Sequence, residues 1–128
     1  MANVLVCIKR VPDTGGQIAL TADSMDVDTR SLGFTVSPHE SCAVELAVQM
    51  AAATAGTATA ATVGSADAVE QLRDALAVGC SAATHVPAEL GGWGPADVAG
   101  ALADVVRAGT PGYDLVLLGN DAADTGDF

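Results

Sequence analysis

The stretch that decides the fold is YDLVLLGNDAADTGDF, at residues 113–128. Its first part, Tyr113 and then residues 115–118, is a short continuous apolar run that ends at Gly119. Such a run is typical of a strand buried on both faces of a parallel sheet. The residues that follow are too small and too acidic to build a core, so they predict a loop at the carboxyl end of that strand. Ligands of open parallel α/β sheets bind at such ends, where the winding direction reverses.

The same alternation of strand and helix extends back through the chain. Short apolar strands are predicted at 3–8, 57–63, 83–86 and 113–118. Helices are predicted to start near Ser37, Ser65 and Pro95, and a small β excursion is expected within residues 11–36. At the first start, Ser37 and Glu40 have capping-box spacing, with Pro38 at the first helical position. The predicted inner face of the first helix is Cys42, Leu46 and Met50, with Ala43 and Ala47 beside them. The inner faces of the next two are Val69, Leu72 and Leu76, then Val98, Leu102 and Val105.

Helices that alternate with apolar strands predict an α/β fold with a doubly wound, mostly parallel sheet and right-handed crossovers. The 128 residues fit a single α/β domain, residues 1–128. Because the pattern ends on a strand and a loop with no covering helix, we expect the chain to be part of a longer polypeptide.

Composition excludes several classes of partner. Sixteen acidic residues against five basic ones give a net charge of −11, which repels phosphate backbones and anionic lipid surfaces. We therefore expect neither a nucleic-acid partner nor membrane insertion. The three cysteines are far apart, in apolar sequence surroundings and without metal or disulfide spacing, which favours a reducing, cytoplasmic setting.

Four segments lie at strand ends or at the helix starts behind them: residues 7–10, 37–40, 63–65 and 119 onward. They converge on one crevice if the strand order reverses between the first and last strands. Lys9 and Arg10 then suit phosphate binding, although a solvated or ion-paired couple explains them equally well. Cys7 is read first as a small core residue, and Ser37 and Glu40 as caps.

The acidic triplet Asp121, Asp124 and Asp127 has two readings from the residues alone, a cation loop or a solvated turn, and the turn is favoured because EF-hand alternation is absent. His39 and His85 are isolated, so no metal site is expected. The sequence has neither a G-x-G-x-x-G motif after the first strand nor a P-loop, and it shows no nucleophile–base pair. A nucleotide would have to be held by scattered backbone groups and helix caps.

Four segments together resemble one family: VLVCIKRVPDTGG at 4–16, DTRSLGFTVSPHESCAVELAV at 28–48, VEQLRDALAVGCSAATHV at 69–86 and YDLVLLGNDAADTGDF at 113–128. They resemble the N-terminal half of the β subunit of electron transfer flavoprotein, in the family's order. In that family the acidic loop continues into a Gln-Thr/Val-Gly segment, which does not occur within the present sequence.

The resemblance implies an adenine-nucleotide-binding fold with the universal-stress-like strand order 3-2-1-4-5. It also implies a structural AMP on this subunit, and an FAD shared with or held mainly by an α subunit. The resulting heterodimer would carry electrons from acyl-CoA-type dehydrogenases to the respiratory chain without bond chemistry of its own. The AMP contacts it implies are Cys7, Ser37, Pro38, His39, Glu40, Val63, Gly119, Asn120, Asp121, Ala122, Ala123, Asp124 and Thr125.

Two alternatives come from other classes. A stand-alone adenine-nucleotide sensor of the universal-stress type carries G-x₂-G-x₉-G-[ST] after its fourth strand, and GNDAADTGDF does not match that motif. An adenylating enzyme of the related group carries Ser-Gly-Gly-x-Asp-Ser after its first strand, where this chain has KRVPDTGG.

Overall fold

The structure, a computed structural model, describes residues 1–89 and 91–126. Its elements in chain order are β1 (Asn3–Cys7), β2 (Val11–Pro12), β3 (Phe34–Thr35), α1 (Pro38–Thr54), β4 (Thr57–Gly64), a 3₁₀ turn (Ala66–Ala68), α2 (Val69–Val78), β5 (Ala82–Pro87), α3 (Pro95–Ala108) and β6 (Leu115–Leu117).

The main sheet has four parallel strands in the order β5-β4-β1-β6. Leu5 at the centre of β1 lies opposite Thr59 of β4 and Val116 of β6. The chain moves outward from β1 to β5 and then returns to the other side of β1, so the winding reverses between β1 and β6. The predicted doubly wound α/β fold is confirmed, and the four predicted strands take the first four places of the expected order.

The two faces of the sheet follow from the alternation of side chains along β1. Val4 and Val6 pack into the core formed with α1 and α2. Leu5 and Cys7 point to the other face, where Leu102 of α3 covers them. With helices on both faces, β1 is buried along almost its whole length, as its sequence predicts.

The inner face of α1 differs in part from the prediction: Met50 packs against the core as predicted, whereas Cys42 and Leu46 do not. Ala43, Ala47 and Ala51 are buried at a spacing of four residues, whereas Cys42 is exposed and Leu46 is 48% exposed. The alanine-rich strand β4 allows α1 to approach closely, so the stripe of small residues packs inward. The longer residues of the neighbouring row then lie toward solvent.

Part of the inner face predicted for α2 is also wrong. Leu72 is buried as predicted, but Leu76 is 41% exposed, and the face is completed by Gln71 and Ala75. The helix ends at Val78, and Gly79 follows with φ 137°, a backbone conformation that favours glycine.

The last strand is not buried on both faces. Leu115 and Leu117 pack on the α1 side, but Val116 is 37% exposed and Leu118 is 62% exposed. Because β6 is the outer strand of the four and α3 packs on β1 and β4, the face of β6 that carries Val116 is only partly covered.

The expected excursion is confirmed as a small antiparallel pair, β2 with β3, and a further bridge joins Leu20 and Val27. Arg10 lies over the ring of Phe34, 3.3 Å from its centroid. The side chain of Arg10 is thereby held at the excursion, away from that of Lys9. Within the described residues, none of the helices is long and apolar enough to cross a membrane.

Candidate functional site

A cleft of about 600 Å³ opens at the carboxyl end of the sheet, where the winding reverses between β1 and β6. Strand ends form its floor through Cys7, Val63 and Leu118, and a polar wall rises from the start of α1 and the loop after β6. The beginning of α3 closes the opposite side. The lining residues are Cys7, Ile8, Lys9, Glu40, Val63, Trp93, Gly94, Pro95, Val98, Ala99, Leu102, Leu118, Gly119, Ala122 and Thr125.

Glu40 is the centre of the polar wall. Its side chain is 8% exposed, and its Oε2 accepts a hydrogen bond from the backbone N–H of Lys9 at 3.0 Å. The predicted capping box is not completed, because the side chain of Ser37 makes no capping hydrogen bond to α1. The carboxylate instead fixes the turn that follows β1. A second tie, from Thr62 Oγ1 to the carbonyl of Ile8 at 2.7 Å, holds the same turn to β4.

Ser37 connects the start of α1 to the loop after β6. It is fully buried, and its Oγ accepts a hydrogen bond from the backbone N–H of Ala123 at 2.9 Å. This contact joins residues 86 positions apart in the sequence. The helix start and the acidic loop therefore form one wall.

One ion pair and one histidine–carboxylate contact complete that wall. Lys9 Nζ lies 2.9 Å from Asp124 Oδ1, and His39 Nδ1 lies 3.5 Å from Asp121 Oδ1. Within residues 1–89 and 91–126, no group of three or more His, Cys, Asp or Glu side chains is placed to hold a metal ion. Asp127, the third member of the acidic triplet, lies outside the described residues. Two of the three acids are thus committed to pairs with nearby cationic or titratable side chains.

Gly119 allows the loop to pass against α1. A Cβ atom at this position would lie 2.6 Å from Cγ of Glu40. Only glycine permits this approach without displacing the carboxylate that fixes Lys9.

Burial sets the electrostatics of the site. It raises the pKa of Glu40, and the hydrogen bonds from the Lys9 and Ser37 backbone oppose that rise in part. Burial, and then the charge of Glu40, raise the pKa of Cys7 to about 11. Cys7 is therefore a neutral thiol at physiological pH, which agrees with its interpretation as a small core residue rather than a nucleophile.

The structure places the thirteen residues implied by the resemblance in three groups. Cys7, Glu40, Val63, Gly119, Ala122 and Thr125 line the cleft. The polar wall is held together by hydrogen bonds and side-chain contacts of Ser37, His39, Asp121, Ala123 and Asp124. Pro38 is the first residue of α1 and Asn120 is exposed in the loop, and neither lines the cleft.

Sequence reasoning missed the wall opposite, which includes Trp93, Pro95, Val98 and Leu102. Two signals could have found it. First, the segment follows a parallel strand at its carboxyl end. Second, Val98 and Leu102 belong to the predicted inner face of α3, and the first turn of this helix projects beyond the strand ends.

Comparison with known proteins identifies the family. The family model described as "Electron transfer flavoprotein domain" matches residues 24–128. The electron transfer flavoprotein subunit beta, mitochondrial, of Oryza sativa subsp. indica is 36% identical over 126 residues, which cover 95% of this chain and 49% of that protein. The electron transfer flavoprotein subunit beta of Bacillus subtilis is 34% identical over 87 residues, covering 68% of this chain and 33% of that protein.

A relative with a different name is the acryloyl-CoA reductase electron transfer subunit gamma of Anaerotignum propionicum, 28% identical over 95% of this chain and 46% of that protein. The chain thus spans about half the length of most of the curated relatives it matches. The family match covers most of the 128 residues, and the relatives from Oryza sativa and Bacillus subtilis are both named as β subunits. The chain therefore belongs to the electron transfer flavoprotein family, among its β subunits.

Proposed function

We propose that this chain acts within an electron transfer flavoprotein, a heterodimeric carrier that passes electrons from acyl-CoA-type dehydrogenases to the respiratory chain. In this proposal the FAD is held mainly by an α subunit, and this β chain holds a structural AMP. Relatives named as electron transfer proteins support the carrier role, including one whose name couples it to an acryloyl-CoA reductase. The chain contributes binding and positioning, and no bond chemistry of its own.

The observation that carries the AMP proposal is the two-sided cleft at the reversal point. Its volume of about 600 Å³ lies within the range of small-molecule sites. One wall supplies a cation, Lys9, and the backbone of the loop that begins at Gly119, which suit a phosphate. The other wall is apolar and suits a flat purine ring.

The charges of the site favour one phosphate over three. Lys9 is the lining cation, and it is already paired with Asp124. Glu40 and Asp121 stand on the same wall. A triphosphate would bring more negative charge among three carboxylates than Lys9 can offset, and its repulsion would weaken binding. This argument supports AMP rather than the ATP expected of a universal-stress-type protein.

When bound, AMP would supply shape and charge and take no part in redox chemistry. Lys9 would exchange its contact with Asp124 for the phosphate, while Glu40 keeps the backbone of Lys9 in place. Ser37 would hold the loop at Ala123, so that the loop does not open away from the ligand. A reducing, cytoplasmic setting belongs to the same proposal, and Cys7, Cys42 and Cys80 are all free thiols.

Denaturing extraction of the purified chain followed by mass spectrometry tests the nucleotide, and calorimetry with AMP and ATP measures its affinity. We expect AMP in the extract, and we expect Lys9→Met to weaken AMP binding. Arg30→Met is the matched control, because Arg30 loses a similar charge in the exposed excursion. ATP in the extract would favour the universal-stress alternative, and failure to bind either nucleotide would reject the AMP proposal.

Co-expression with an electron transfer flavoprotein α subunit tests the carrier role. We expect a complex with one copy of each chain and one FAD, whose flavin is reduced by an acyl-CoA dehydrogenase and its substrate. An α subunit that elutes alone with its full flavin content would contradict the proposed partnership.

A further inference from the structure

The apolar wall of the cleft contains a large side chain that the core does not use. Trp93, in the loop just before α3, lines the cleft and is nevertheless 41% exposed. Leu118 lines the same cleft and is 62% exposed. Two large exposed apolar side chains that line one cleft are typical of a binding site rather than of a solvated loop.

The two walls differ in what they can bind. The polar wall holds Lys9, Glu40 and the loop after β6, whereas the side chains of Trp93, Pro95 and Val98 offer neither charge nor a strong acceptor. This side has no side-chain cation, and the carboxylate of Asp97 already accepts the backbone N–H of Gly94 at 2.8 Å, so a phosphate is disfavoured there and a flat aromatic ring is favoured. Aromatic side chains bind bases by stacking, which needs an open ring face and little hydrogen-bonding capacity around it.

We propose that Trp93 is the base-stacking residue of the site, and that it holds a purine ring against the strand ends at Cys7 and Val63. The inference rests on the proposed binding of AMP and adds the residue and the wall that recognise its base. The base lies on the α3 side and the phosphate on the side of Lys9. Because stacking depends on ring area, Trp93 should strengthen the binding of AMP but not the binding of a sugar phosphate that lacks the base.

Trp93 is the sole tryptophan of the chain, so its fluorescence reports on this site alone. We would titrate the protein with AMP and with ribose 5-phosphate, which lacks the base, and follow both by emission and by calorimetry. We expect AMP to quench or shift the emission and ribose 5-phosphate to leave it nearly unchanged.

Three variants complete the experiment. Trp93→Ala should raise the Kd for AMP by about tenfold or more while it leaves the Kd for ribose 5-phosphate unchanged. Trp93→Phe keeps a ring and should retain most of the affinity. Leu46→Ala is the control, since Leu46 is a half-exposed apolar side chain on α1 that does not line the cleft.

The outcomes separate this inference from the function on which it rests. If AMP binds to the wild type and to Trp93→Ala with equal affinity, the stacking role is wrong and the AMP site stands. If Trp93→Ala weakens both ligands equally and lowers the melting temperature, Trp93 supports the fold and the inference is again wrong. If the wild type does not bind AMP, the proposed function itself fails.

Discussion

Gly119 and Glu40 show how one residue's missing side chain decides the geometry of the cleft. The Cβ atom that any other residue would carry at position 119 falls 2.6 Å from Cγ of Glu40. Glu40 cannot move away freely, because its carboxylate accepts the N–H of Lys9. The strand end, the helix start and the turn after β1 are therefore mutually constrained.

Gly119→Ala should lower the free energy of unfolding by about 1–3 kcal/mol and weaken AMP binding, because the methyl group overpacks the cleft wall. Urea denaturation and calorimetry measure the two effects. Gly112→Ala is the control, since a Cβ there meets nothing within 4 Å. Equal stability of both variants and the wild type would contradict the close approach.

Glu40 should make stability depend on pH. Burial raises the pKa of Glu40 in the folded state above its ordinary value of 4.5. Above the pKa of Glu40 in the unfolded chain, ionisation therefore favours the unfolded state and lowers the free energy of unfolding. Stability contributed at this position is therefore highest at acidic pH and falls as the pH rises toward and through the folded pKa.

Glu40→Gln removes the charge and keeps an acceptor for Lys9. It should be more stable than the wild type at pH 7, and the difference should shrink toward pH 4. Urea denaturation at several pH values measures this trend. Glu45→Gln on the exposed side of α1 is the control, and a Glu40→Gln effect that does not change with pH would contradict the assignment.

Among the described residues, Gln71 has a buried side-chain amide that the fold does not satisfy. It is 2% exposed, and its Nε2 and Oε1 have no hydrogen-bond partner. Gln71→Met should raise the free energy of unfolding by about 1–3 kcal/mol, because it removes two unsatisfied groups and keeps the volume. Gln49→Met, at an exposed position of α1, should change it by less than about 0.5 kcal/mol. A destabilised Gln71→Met would show that the amide does have partners.

At the scale of elements, the polar side chains at the start of α1 stabilise the walls of the site through hydrogen bonds to other segments. Ser37 and Glu40 are residue types that cap helices, yet both side chains bond to other segments. The helix keeps Pro38 at its first position, so its backbone start does not depend on the side-chain caps. Residues whose types predict a helix cap thus form hydrogen bonds to other segments instead.

Ser37→Ala should speed hydrogen exchange at the Ala123 amide and lower the free energy of unfolding by about 0.5–1.5 kcal/mol, because the bond across the cleft is lost. Far-UV circular dichroism should show no loss of helix. Ser65→Ala is the matched control, since Ser65 precedes the 3₁₀ turn and makes no capping bond through its side chain. Unchanged protection of Ala123 would count against the role of Ser37.

At the scale of the whole molecule, burial decreases from β1 toward the outer strands. Leu5 is 0% exposed and has a strand on each side, whereas Val116, directly opposite it on β6, is 37% exposed. The cleft lies where these two strands end, so its floor is anchored in the most buried part of the sheet and its rim in one of the least buried parts.

Leu5→Ala should lower the free energy of unfolding by about 2–5 kcal/mol, because it leaves a cavity between α3 and the centre of the sheet. Val116→Ala on the same face of the sheet should cost less than about 1 kcal/mol. Urea denaturation of the two variants measures the difference. Similar losses of unfolding free energy in the two variants would contradict the position of β6 at the edge of the main sheet.

The strands of the main sheet and several helix ends could be predicted from local sequence patterns. The apolar runs marked all four strands of the main sheet, and Ser37, Pro38, Gly79 and Pro95 marked helix ends, because these signals act within a few residues. The periodicity of α1 was ambiguous, since two adjacent rows of residues fit it equally well. Which row turned inward depended on the alanines of β4, and these belong to another element.

By itself, then, the sequence determined the order and type of the elements, the parallel sheet and the loops that could meet at its carboxyl edge. Tertiary structure alone decided three features: Val116 is 37% exposed, the Ser37 and Glu40 side chains bond to other segments, and Trp93 lines the same cleft as the loop after β6. The physical reason is distance along the chain. Ser37 and Ala123 are 86 residues apart, and only the crossovers on the two faces of the sheet bring such residues within a hydrogen bond of each other.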